Sequence, residues 1–350
     1  MKRKLLVTIL VLSAAMEIGL RAQSWDRMVN LRGYWKFSIG DDMNWLKPEY
    51  DDKHWEEIKA PSAWEDQGYY GYDGYAWYRK HFKIYSSSKG KYLMLRMGRI
   101  DDVDQVFVNG HLVGASGTFP PDYRTAYNAW REYYLPEKYL KMDKDNVIAV
   151  RVYDAELGGG ILEGEVGIFT IEGALKPDLD LSGEWKFKSG DNKKWIDPNF
   201  DDEKWNLILV PSYWEMQGYK GYDGFAWYRL RFKVDPSLAT KKLVLVLGKI
   251  DDIDEVYLNG KLIGSTGNMN THPIRYDTRS EWQIFRGYFV PGGLIDPNTE
   301  NVIAVRVFDG YINGGIYQGP IGLVQQDKYT KFWREQKHER KTFWQWIFGN

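Results

Sequence analysis

The chain has 350 residues, of which 43% are apolar, 27% charged and 16% aromatic, with 16 Trp, 25 Tyr, 35 Gly, 13 Pro and no Cys. Its length favours two folded units, and its composition excludes a disordered or low-complexity chain. The lack of Cys excludes disulfides, thiolate catalysis, Cys-type zinc sites and lipid attachment through an N-terminal Cys.

Residues 1–23 begin with Lys2, Arg3 and Lys4, run through an apolar stretch of 12 residues from Leu5 to Met16, and end in a polar segment holding Glu17 and Arg21. That order is the pattern of a secretory signal peptide, with cleavage near Ala22 or Gln23, and the apolar stretch falls short of the ~20 residues of a membrane-spanning helix. A periplasmic or extracellular protein is expected. Removing residues 1–23 takes away four basic residues and one acidic one, moving the formal charge from -1 to -4. Nucleic acid is therefore not an expected partner.

The rest of the chain is a tandem repeat. LRGYWKFSIGDD from Leu31 faces LSGEWKFKSGDN from Leu181, and APSAWEDQGYYGYDGYAWYRKHF from Ala60 faces VPSYWEMQGYKGYDGFAWYRLRF from Val210. At an offset of 150, 45 of the 87 positions from 31 to 117 are identical, and after a five-residue insertion beyond Gly267 DNVIAVRVYD faces ENVIAVRVFD. A unit of about 140 residues far exceeds a solenoid or blade repeat, so each copy is expected to be a complete domain. The divisions are a leader at 1–23, a first domain at 24–175, a second at 176–326 and a tail at 327–350.

Within each copy the apolar period is two. KYLMLRMG, QVFVNGHLVG and NVIAVRVY in the first, and KLVLVLG, EVYLNGKLIG and NVIAVRVF in the second, read as strands. Asn109-Gly110 and Asn259-Gly260 lie inside such runs, where Asn-Gly supplies the positive φ angles of a type I′ hairpin. The expected fold is all-β, two jelly-roll β-sandwiches in series, followed by a short helical tail.

Four motifs recur in order in both copies: a DD-x-x-W turn (Asp51, Asp52, Trp55; Asp201, Asp202, Trp205), GYDG-x-AWYR, IDD-x-D-x-V-x-x-NG and NVIAVRV. Together they resemble the galactose-binding-like, sugar-binding jelly roll found at the N-terminus of glycoside hydrolase family 2 enzymes, such as β-galactosidases and β-glucuronidases, and inserted in sialate O-acetylesterases. The resemblance covers residues 31–172 and 181–324. It implies sugar binding but no activity, because the catalytic domain of those families is a separate TIM barrel or Gly-Asp-Ser hydrolase domain.

No catalytic residue is proposed from the sequence. Of the five histidines, His54, His81 and His111 face Lys204, Arg231 and Lys261, while His272 and His338 lie in the inserted loop and the tail, so none recurs between copies. No GxSxG, HExxH or EF-hand pattern occurs. Asp51 and Asp52 read as turn or cap residues. For the triplets Asp101, Asp102, Asp104 and Asp251, Asp252, Asp254, a turn or an Arg partner is the ordinary reading; structural calcium is the alternative, and no metal ligand or other cofactor is assigned.

The segment from Trp64 to Arg79 combines groups that suit a sugar: aromatic faces that stack on a pyranose, and planar carboxylates that bond vicinal hydroxyls. Candidate ligand-binding residues there are Trp64, Glu65, Tyr69, Tyr72 and Asp73, with Trp214, Glu215, Tyr219, Tyr222 and Asp223 in the second copy. Core packing is the competing role for these aromatics, and for Trp77 and Arg79 as core and ion-pair groups. Strand-connecting loops concentrate ligand contacts, so Arg124, Tyr127 and Trp130, with Arg275, Tyr276 and Trp282, complete the candidates. The glycine run from Gly158 reads as a turn that lets the backbone approach a neighbour.

Residues 328–341 hold six basic and two acidic residues, and Phe332, Gln336, Arg340, Phe343 and Ile347 recur at helical spacing. This tail is expected to dock on the second domain, on a protein partner or on a membrane surface. A secreted, non-catalytic carbohydrate-binding protein is the leading expectation. An accessory subunit or degenerate relative of a glycosidase or acetylesterase, and a structural spacer, are the alternatives.

Overall fold

The computed structural model describes residues 25–269 and 281–348, with side chains through residue 337. The leader, Arg275 and Tyr276 lie outside the described residues. The first unit holds β1 (Trp25–Asn30), β2 (Gly33–Ile39), β3 (Glu56–Ala60), β4 (Gly74–Lys83), β5 (Leu93–Asp101), β6 (Val103–Val108), β7 (His111–Ser116), β8 (Trp130–Tyr134), β9 (Asp145–Asp154) and β10 (Gly160–Ile171). A six-stranded sheet in the order β3-β2-β4-β9-β6-β7 faces a four-stranded sheet in the order β1-β10-β5-β8.

The second unit repeats the plan with β11 (Leu179–Asp180), β12 (Gly183–Ser189), β13 (Asn206–Val210), β14 (Gly224–Phe232), β15 (Leu243–Asp251), β16 (Ile253–Leu258), β17 (Lys261–Thr266), β18 (Phe285–Phe289), β19 (Asn301–Asp309) and β20 (Gly315–Gln325). Its sheets run β13-β12-β14-β19-β16-β17 and β11-β20-β15-β18. Every pairing among the described strands is antiparallel. Two sandwiches in series and a C-terminal helix (Gln326–Phe348) are thus the fold that the alternation predicts.

The alternation of β2 turns Trp35 and Phe37 into the core, and that of β5 turns in Leu93, Leu95 and Met97. The unbroken apolar run of β9 has a different cause. This strand is central in its sheet, and both faces are covered: Val150 and Val152 join the main core, while Ala149 packs under a second cluster of Trp45, Trp55, Trp77 and Phe107. The β6–β7 hairpin turns on Asn109 (φ 50°) and Gly110 (φ 84°), and the β16–β17 hairpin on Asn259 (φ 48°) and Gly260 (φ 79°).

Among the described residues four arginines are fully buried. Arg79 Nε donates to Asp52 at 2.7 Å and Arg131 Nε to Asp104 at 2.7 Å; Arg229 and Arg286 meet Asp202 and Asp254 at 2.6 and 2.8 Å. The expectation for Asp52 is therefore corrected. Asp51 caps the turn by accepting the Lys53 N–H at 3.2 Å, whereas Asp52 neutralises Arg79. Asp104 and Asp254 have the Arg partner expected for the triplets.

The units touch through polar contacts. Tyr134 donates to Asp180 at 3.2 Å, Lys138 to the Ser182 carbonyl at 2.6 Å, and Lys176 pairs with Glu137 at 2.7 Å. The C-terminal helix docks on the second unit, the first of its three expected placements: Tyr329 and Phe332 pack on Val244, Val246 and Val324, the outer face of the four-stranded sheet. None of the described helices is long and apolar enough to cross a membrane.

Removing one member of a fully buried pair strands the other charge, at a cost of about 3–5 kcal/mol, whereas replacing both costs less. Arg131→Met is expected to lower the urea midpoint of the first unit strongly, and Asp104→Leu in the same chain to restore part of it. Equal midpoints for wild type and Arg131→Met would contradict a structural role for the pair.

Candidate functional site

Four segments meet at one end of the first sandwich: residues 64–73, the β5–β6 link at Asp101 and Asp102, residues 117–130 and residues 154–160. Their junctions are hydrogen bonds. The Gly159 N–H donates to both carboxylate oxygens of Glu65, at 3.1 Å each. Asp102 accepts from the Ala155 N–H at 3.0 Å and from the Thr125 hydroxyl, and its carbonyl accepts from the Ala126 N–H at 3.0 Å. In the second unit the Gly314 N–H donates to both oxygens of Glu215 at 3.0 Å, and the Gly310 N–H to Asp252 at 3.2 Å.

Several predicted contacts prove to be part of this framework. Trp64 and Trp214 are fully buried, and their indole N–H groups donate to the carbonyls of Tyr72 and Tyr222 at 3.1 and 3.2 Å. A Cβ on Gly159 would lie 2.2 Å from the Trp64 ring, and one on Gly314 2.0 Å from Trp214, so the glycine run approaches as expected and closes over each indole. Neither indole offers a face to a ligand, which corrects the expectation of stacking platforms. Glu65, half-buried, and Glu215, fully buried, each brace the glycine run by accepting one backbone N–H.

Tyr69 and Tyr219 are half-buried against Phe37 and Phe187, and their hydroxyls meet Glu56 at 2.7 Å and Asn206 at 2.8 Å. Tyr72 and Tyr222 stand edge-on to the indoles of Trp64 and Trp214 and donate to the carbonyls of Tyr75 and Phe225. Trp77 and Arg79 are core and ion-pair groups. Asp73 and Asp223 are exposed, as are Tyr127 (54%) and Trp130 (57%), with the Arg99 guanidinium 5.9 Å from the Trp130 ring centroid. Trp282 is half-buried beside Tyr317. Arg124 is half-buried, and its charge reaches Glu215 of the other unit.

The sequence reading missed Asp154 and Asp309. Both are fully buried at the ends of β9 and β19, and oxygens of Asp101, Asp102 and Asp154 lie within 4.8 Å of one another, as do those of Asp251, Asp252 and Asp309. The signal was present, since NVIAVRVYD and NVIAVRVFD end on the same residue type. Burial pushes Asp154 up to about 8, with the Asp101, Asp102, Glu65 and Asp73 charges adding to the shift. Burial, then the hydrogen bond and charge of Asp102, bring Asp101 to about 7. Burial opposes ionisation of Asp102 too, but hydrogen bonds from Thr125, Tyr123 and the Ala155 N–H prevail and hold it low.

Burial raises Glu215 to about 7 against the Gly314 hydrogen bonds and the Arg124 charge. A carboxyl raised on folding contributes stability that is full below its unfolded value near 4.5 and is lost as pH rises through 7. The folded protein is therefore expected to lose melting temperature between pH 5 and pH 8. Glu215→Gln, which keeps an acceptor for Gly314, should flatten that loss by up to about 3 kcal/mol. An unchanged slope in the variant would refute the assignment.

The family described as "Beta-galactosidase second all-beta domain" matches the chain twice, over residues 40–157 and 190–310. Among curated proteins, the chain is similar to Beta-galactosidase BoGH2A of Bacteroides ovatus, 28% identical over 134 residues, which are 35% of this chain and 15% of that protein. It is also similar to a putative beta-glucuronidase of Formosa agariphila, 30% identical over 135 residues, 35% of this chain and 12% of that one. The chain thus spans only a small fraction of these relatives. Among solved structures, Bacteroides uniformis beta-glucuronidase 2 aligns over 83% of this chain and 28% of its own, at 15% identity and a TM-score of 0.36. With both of its sandwiches matched, the chain belongs to the family of the β-galactosidase second all-beta domain.

Proposed function

We propose that the chain is an exported, non-catalytic carbohydrate-binding protein whose two sandwiches each present a loop-built end to a glycan. The observation that carries this reading is the doubled match to a β-galactosidase domain in one chain, with aromatic and carboxylate groups exposed beside the same end. The relatives' names, beta-galactosidase and beta-glucuronidase, point to glycosides as the ligand class. Tyr127 and Trp130 offer faces for a pyranose, and Asp73 two oxygens for vicinal hydroxyls. Asp223 and Trp282 are their counterparts in the second unit, and two sites on one glycan would add avidity through effective concentration.

The loop glutamates, Glu65 and Glu215, have a structural role, each bracing the glycine run through one backbone N–H. Among the described histidine side chains, His81 pairs with Asp145 at 2.6 Å, His111 stacks on Tyr139, and His54 is exposed, so none lies among the site residues. Export is supported by the basic and apolar order of residues 1–23. N-terminal sequencing of the protein from the periplasm or medium should begin near residue 22–24, and a cytoplasmic product retaining Met1 would overturn export.

A glycan array followed by isothermal titration tests the binding. Tyr127→Ala and Trp130→Ala are each expected to weaken the best ligand roughly tenfold, about 1.4 kcal/mol, with chromogenic galactosides, glucuronides and acetyl esters left intact. Absence of binding to every glycan at millimolar concentration would sink the proposal. Turnover that vanishes in Asp73→Ala would replace it with that of an enzyme relative.

A further inference from the structure

Asp154 is fully buried, and neither of its carboxylate oxygens has a hydrogen-bond partner in the described structure. In the second unit Asp309 is also fully buried, with Oδ2 unpartnered while Oδ1 accepts the Tyr311 N–H at 3.3 Å. Leaving an ionised carboxylate buried and unpaired is among the most unfavourable arrangements a folded chain can keep. Each of these aspartates belongs to a group of three carboxylates drawn from two places in the fold: the end of β5 with its link to β6, and the end of β9, or their equivalents in the second unit.

The local charge is unbalanced. Glu65 and Asp73 add negative charge around Asp154. The nearby Arg131 already pairs with Asp104 at 2.7 Å and donates to the carbonyls of Ala126, Ala129 and Asp102 at 2.6, 2.6 and 3.0 Å. Four of its five N–H groups are thus engaged, and none of them donates to Asp154. Two oxygens bound to one calcium ion at 2.3–2.6 Å can be at most about 5 Å apart, and the three oxygens of each group lie within 4.8 Å of one another. The donors are all hard carboxylate oxygens, without imidazole or thiolate, which suits calcium better than a transition metal.

We propose that each sandwich holds one calcium ion, bound by Asp101, Asp102 and Asp154 in the first unit and by Asp251, Asp252 and Asp309 in the second. The ion neutralises the buried strand-end aspartate and ties the β5–β6 link to the end of β9. Asp102 and Asp252 keep one backbone hydrogen bond each, which orients their carboxylates toward the site. The site stands on these six residues alone and does not depend on sugar binding.

The test uses the full chain, stripped of metal with EDTA and desalted, and calcium chloride as the probe in isothermal titration. Two ions per chain are expected in the wild type, one in Asp154→Asn, one in Asp309→Asn and none in the double variant. Calcium at a hundredfold excess over its dissociation constant should raise the wild-type melting temperature by about 5–10 °C, and the shift should disappear in the double variant. If the buried Asn variants fail to fold, the half-exposed Asp101→Asn and Asp251→Asn provide the same comparison. A folded wild type that gives neither heat nor a melting shift overturns the proposal, with protons shared among the carboxyls resolving the charge instead. Unaltered stoichiometry in the variants overturns it as well.

Discussion

A guanidinium without exposed surface must find every partner inside the protein, and Arg131 finds them in three places at once. It pairs with Asp104 on β6, and three more of its N–H groups reach the carbonyl of Asp102 and those of Ala126 and Ala129. One side chain therefore fixes the strand, the β5–β6 link and the loop that leads into β8. Tyr133 donates to the second oxygen of Asp104 at 2.7 Å, completing its partners from the facing sheet. Arg286 does the same in the second unit, meeting Asp254 and the carbonyls of Glu281, Ile284 and Asp252. The loop-built ends are positioned by the interior of each sandwich, which is how a scaffold with irregular rims keeps those rims in register.

The strand plan is legible in the sequence because period-two burial and Asn-Gly turns are local properties. The fate of single side chains is less so. Trp64 lies in a loop beside Glu65 and Tyr69, a setting that suits an open aromatic platform equally well. What decides its burial is a glycine run almost a hundred positions later, folding back over the ring. Asp51 and Asp52 are adjacent and identical in type, yet one caps a turn and the other is buried against Arg79 27 residues away. Asp154 reads as an ordinary strand end until the fold brings it to Asp101 and Asp102. Each of these roles depends on a contact between distant segments, which composition and spacing do not encode.

The two copies share a fold without sharing surroundings. The outer face of the β15–β20 layer is covered by the C-terminal helix through Tyr329 and Phe332, whereas in the first unit the corresponding face carries Arg96 over the Trp25 ring at 4.8 Å and Arg99 beside Trp130. The Gly117 N–H points at the Met216 sulfur at 3.2 Å, and the Arg124 charge is felt at Glu215, so the loop end of the second unit borders the first. A ligand approaching the second end meets a surface partly made by its neighbour.

The closure of glycine over tryptophan has a bearing on how the duplicated halves have been free to diverge. Any side chain at Gly159 or Gly314 would displace an indole from the core, and the indole in turn holds the turn of residues 64–73 or 214–223 through its N–H. These stretches constrain each other: residues 64–73 and 214–223 agree at eight of ten positions, and Gly159 and Gly160 recur as Gly314 and Gly315. In the first copy the segment after Gly117 is held to Asp102 through Thr125 and the Ala126 N–H and to Arg131 through the Ala126 and Ala129 carbonyls, and it is after the equivalent Gly267 that the second copy gained five residues. Each rim of the duplicated chain thus keeps the same indole closed by the same glycine, while length has changed only in the segment that follows Gly117 or Gly267.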